Sequence, residues 1–124
     1  VVVRPTAIVI GVGELAPGLA VPVGQAVRVA RGEVLTFAVS LYHSDGRPWA
    51  GAAAEVRIFD AYRGRTPRVT VPLSRDRDTG LWMGTVAHTT TANWQPGVQL
   101  YWNCWTTDPE ANQVIPLSLL TVLP

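Results

Sequence analysis

The sequence predicts an all-β, two-sheet antiparallel sandwich, and three observations lead there. Leu35, Phe37, Val39 and Leu41 alternate with Thr36, Ala38, Ser40 and Tyr42, and Val98, Leu100, Trp102 and Cys104 alternate with Gln99, Tyr101, Asn103 and Trp105. Period-two alternation of this kind marks a strand with one face on a core. No segment carries apolar residues at i, i+3, i+4 and i+7 over the roughly 11 residues a helix needs. Turn residues divide the chain into about seven to nine short strands spaced about 8–12 residues apart, as in a sandwich.

In chain order, residues 1–12 are β-branched and loosely alternating, and predict a first strand or an extended arm. Gly11, Gly13, Pro17 and Gly18 then stop any helix. Short strands follow near residues 19–23 and 25–30, the latter with Val27 and Val29 in phase against Arg28. The strand at 35–42, a turn carrying Asp45, Gly46 and Pro48, and a strand at 55–60 with Val56 and Ile58 in phase form the predicted centre of the fold. Residues 62–67 are a polar loop. Val69, Val71 and Leu73 define a strand at 68–73, which Pro72 assigns to an edge because it has no N–H to give a ladder. A charged turn at 74–80 leads to a strand at 81–88 with Trp82, Gly84 and Val86 on one face. The loop 89–97 precedes the strand 98–107, which forms a hairpin with 113–123.

At 124 residues, 48% hydrophobic and 15% charged, residues 1–124 make a single domain with enough core to fold without disulfides or metal. The net charge of +1 gives no field to recruit nucleic acid or an anionic membrane. All ten basic residues are arginine. Arg63, Arg65, Arg68, Arg75 and Arg77 interleave with Asp60, Asp76 and Asp78, which predicts a salt-bridged surface rather than a phosphate-binding stripe. No apolar run approaches the ~20 residues that span a bilayer. The apolar N-terminus is broken by Arg4 and Pro5, unlike a signal peptide, while the absence of an initial methionine leaves a removed leader open.

The chemistry-bearing residues do not assemble into motifs. His43 and His88 have no companions at metal-ligand spacing and are predicted to be surface residues. The single cysteine, Cys104, shares a face with Leu100 and Trp102 and reads as a small buried hydrophobe. Residues 76–80 lack the third acidic position and closing glutamate of a calcium loop. Gly11-Val12-Gly13 lacks the third glycine of a dinucleotide site, and no serine sits in G-x-S-x-G. The expectation is therefore a protein with no catalytic residue, no cofactor and no metal. Of the five tryptophans, Trp82 and Trp102 are in phase with apolar neighbours and belong to the core. Trp49, Trp94 and Trp105 lie in loops or on the opposite face, where they either pack over the ends of the sandwich or anchor a protein interface.

Three pieces of sequence carry a resemblance. Asp45-Gly46-Arg47-Pro48 leads to Gly51-Ala52 and the 55–59 strand, Asp78-Thr79-Gly80 leads to Trp82, and Pro96-Gly97 leads to Tyr101. Over residues 33–123 this resembles bacterial and phage immunoglobulin-like modules, although Tyr101 stands further from Pro-Gly than the usual aromatic. The closing hairpin is similar to that of tailed-phage virion proteins, both capsid decoration and baseplate. The resemblance implies an immunoglobulin-like sandwich with an N-terminal arm and a structural role in the virion, exercised through capsid or tail subunits or through copies of itself. A binding or spacer module of a larger secreted or cell-surface protein is the alternative. Interface residues on this reading are Val1, Val3 and Arg4 of the arm, Trp49 and Trp94, and Tyr62, Arg63 and Arg65 of the polar loop.

Overall fold

The computed structural model describes residues 3–12, 27–43, 48, 49, 51–62, 64–108 and 111–123. Among these, eight strands and one helical turn follow one another: β1 (Val3–Val12), β2 (Val27–Ala30), β3 (Leu35–His43), β4 (Ala53–Phe59), β5 (Val69–Arg75), β6 (Trp82–Val86), α1 (His88–Thr91), β7 (Gln99–Asp108) and β8 (Asn112–Leu123). The strand predicted near residues 19–23 and the turn residues 44–47 lie outside the described residues.

The strands hydrogen-bond in the order β1-β3-β6-β5-β4-β7-β8-β2, and the sheet curls until β1 comes up against β8, nearly closing a barrel. The all-β expectation holds, with two differences from separate antiparallel sheets. First, β2 runs parallel to β8, with Val27 beside Leu120 and Ala30 beside Leu123. Second, β5 joins the two halves, pairing with β4 through Val69–Leu73 and with β6 through Ser74 and Arg75. The edge position predicted from Pro72 is therefore corrected. Pro72 pairs in register with Glu55, and β6 takes up the other side of β5 only beyond it, so the missing N–H interrupts no ladder bond to β6.

Alternation set the inner faces as predicted. Leu35, Phe37, Val39 and Leu41 on β3, Val56 and Ile58 on β4, and Leu100, Trp102 and Cys104 on β7 are all buried in one cluster. On β3 the opposite face is buried too, at Thr36 and Ala38. The ring of Phe37 meets that of Trp102 at 5.4 Å between centroids, which ties β3 to β7 across the core. Where β5 crosses between the halves it runs so close to β6 that a Cβ on Gly84 would lie 2.7 Å from the Pro72 carbonyl oxygen. Glycine at that position is a packing requirement.

The sequence predicts a first strand or an extended arm over residues 1–12. The described part is an edge strand, antiparallel to β3 from Val3 opposite His43 to Val12 opposite Leu35, with an irregularity between Pro5 and Ala7. The loop before β7 contains one turn of helix that no periodicity announces. Thr91, wholly buried, fastens it by donating its hydroxyl to the Glu33 carbonyl at 2.7 Å, and Arg31 donates Nε and Nη2 to the Ala92 carbonyl at 3.2 and 2.9 Å.

Candidate functional site

β4, β7 and β8 have a second face, turned away from the core, and the pairing register arranges it in rows. Phe59 lies beside Tyr101 and Tyr101 beside Leu119; Arg57 lies beside Asn103; Glu55 lies beside Trp105 and Trp105 beside Gln113. At one end Thr121 lies beside Gln99 and donates its hydroxyl to the Gln99 Oε1 at 3.0 Å. Side chains two residues apart on a strand share a face, so these rows form one surface.

Its apolar part is exposed. Among the described residues the large exposed hydrophobics are Tyr62 (59%), Leu119 (46%) and Leu123 (37%). Leu119 and Leu123 fall on the outer parity of β8 with Thr121, and Tyr62 reaches the same surface from the loop after β4. There the chain turns at Ala61–Gly64, with the Gly64 N–H bonded to the Ala61 carbonyl at 3.0 Å, and lies down over Phe59. The Tyr62 ring meets Tyr101 edge-on at 5.6 Å between centroids. Phe59 is buried beneath this loop and so supports Tyr62 without being reachable itself.

The polar part is internally matched. Arg57 donates Nε to Glu55 Oε2 at 2.6 Å, and its guanidinium stands 4.7 Å above the Trp105 ring. Both charges are partly buried, and a cation over an aromatic face adds on the order of 0.5–2 kcal/mol. Beneath them Asn103 is only 7% exposed, and its Oδ1, like Trp105 Nε1 and Trp102 Nε1, is buried without a hydrogen-bond partner. Each such orphan costs about 1–3 kcal/mol.

The structure separates the sequence-derived interface residues. Tyr62 and Arg65 are exposed. Trp49 and Trp94 are corrected: at 5% and 2% exposure they are core residues and offer no ring to a partner. Trp49 packs against Trp82 with centroids 5.2 Å apart and the ring planes tilted by 50°, and a side chain on Gly51 would overlap its ring. Trp94 follows α1, with its N–H bonded to the Thr91 carbonyl at 3.1 Å, and lies within the core cluster. Of the two readings left open for the loop tryptophans, packing is the one observed for Trp49 and Trp94, both inside the core cluster. Val3 and Arg4 lie on the edge strand β1, while Val1 and Arg63 lie outside the described residues. Missed by sequence were Leu119 and Leu123. One signal was available: β8 is apolar on both parities, with Leu117, Leu119 and Leu123 in excess of what a one-sided strand needs.

Elsewhere the chemistry is quiet. Cys104 is buried in the core, and desolvation, with the nearby Glu55 charge adding to it, pushes its thiol pKa from 9.0 up to about 12. Asp76 accepts a hydrogen bond from the Thr79 hydroxyl at 2.7 Å and another from the Asp78 N–H, and these hold its carboxyl below the usual range. This is turn chemistry. The interleaved charges include the predicted kind of salt bridge at Arg68–Asp60, 2.9 Å and largely exposed, worth at most about 1 kcal/mol. Among the described residues no group of three or more His, Cys, Asp or Glu could hold a metal ion, and no helix is long and apolar enough to cross a membrane.

The chain matches no protein-family model and no curated protein.

Proposed function

We propose that this chain is a non-enzymatic structural protein of a tailed-phage virion, built on an immunoglobulin-like sandwich and acting by protein–protein contacts, most directly in capsid decoration. The strand order supports the fold assignment. β3 with β6 and β4 with β7 are antiparallel central pairs of opposite halves, β7 and β8 form a hairpin, β5 passes between halves, and the short β2 adds parallel to the last strand. That connectivity suits the Greek-key sandwiches of this class. Fold alone does not carry function.

The observation that carries the function is the outer face of β4, β7 and β8. Tyr62, Tyr101 and Leu119 form a contiguous apolar surface beside a charge pair that is already neutralised. Surfaces of this kind mark contacts with other proteins, and aromatic residues with arginine dominate such contacts. On this reading the protein sits on the virion surface, in contact with capsid or tail subunits. Its test is to identify the chain by mass spectrometry in purified virions of the phage that encodes it, and to co-sediment purified protein with capsids lacking it. Saturable, stoichiometric recovery is expected. Absence from virions together with no co-sedimentation would overturn the assignment. Recovery as part of a longer secreted chain would replace it with the binding or spacer reading.

A further inference from the structure

We draw no further inference here: the strongest candidate, the apolar patch of Tyr62, Tyr101 and Leu119 on the outer face of β4, β7 and β8, is an unpartnered sheet face, and nothing in the structure shows what covers it.

Discussion

Gly84→Ala is the substitution for which the structure gives both sign and size. In an ordinary strand, replacing glycine by alanine reduces the freedom of the unfolded chain and stabilises by about 0.4–1 kcal/mol. At Gly84 the added methyl would lie 2.7 Å from the Pro72 carbonyl oxygen, 2.7 Å from Leu73 Cδ2 and 2.8 Å from Val71 Cγ1. Carbon atoms at rest stand about 3.5–4.0 Å apart, so β5 must retreat by most of an ångström. It is poorly placed to do so, because one obstacle is backbone and β5 is held by β4 on one side and β6 at its end. Overpacking a core costs about 1–3 kcal/mol, and three simultaneous contacts belong in the upper half of that range. Less the entropic gain, the net loss is about 2 kcal/mol. With an unfolding entropy on the order of 260 cal/mol/K for a chain of this length, the melting temperature falls by about 8 °C. Scanning calorimetry of the two proteins, with urea midpoints as a second measure, reads the difference. A variant as stable as the parent, or more stable, would refute the close approach of β5 to β6. Adding Leu73→Ala would restore part of the loss only if the contact exists.

Three further outcomes are expected. Thr91→Val removes the hydroxyl that reaches the Glu33 carbonyl and should lower the urea midpoint by the equivalent of about 1–2 kcal/mol. Thr91→Ser should recover most of that loss, and equal stability of both variants would deny the bond any role. Cys104 should resist a thiol reagent at pH 8 until denaturant is added. Its raised folded-state pKa means that its contribution is complete below the unfolded value of 9.0 and is lost as pH climbs toward about 12, so rapid labelling of native protein would contradict the burial. Asp76 has the opposite sign: its depressed folded pKa gives stability above the unfolded value that disappears on acidification below about pH 4. An NMR titration of Thr79→Val should find the Asp76 carboxyl moved back up toward its ordinary value, and an unchanged titration would remove Thr79 as the main cause.

Local alternation made the inner faces of β3, β4, β6 and β7 legible in the sequence, because a strand with one wet side must repeat every two residues. Pairing is another matter. Nothing in Val27–Ala30 says that its partner is the final strand, or that it lies parallel, since a four-residue strand carries no register of its own. Trp49 and Trp94 show the same limit for burial. Each sits in irregular chain, where exposure is decided by what folds over it from a distance, Trp82 for Trp49 and the core cluster for Trp94. The candidate face was half visible. Tyr62 stood out as an aromatic in a polar loop, but Leu119 was hidden in a strand apolar on both parities, which conceals which side is wet.

The parallel alignment of β2 with β8 also has a consequence in time. Val27 and Leu120 are about 90 residues apart in the chain, so the pairing of β2 with β8 cannot form until β8 itself has been synthesised. While β8 is still inside the ribosome, β7 lacks its hairpin partner and β2 has nowhere to add. A chain with such distant partners folds on the slow side for its length, in milliseconds to seconds. During that interval the surfaces that later become core are open to chaperones and to neighbouring nascent chains. Loss of Leu120–Leu123 would therefore act as a block on completing the barrel.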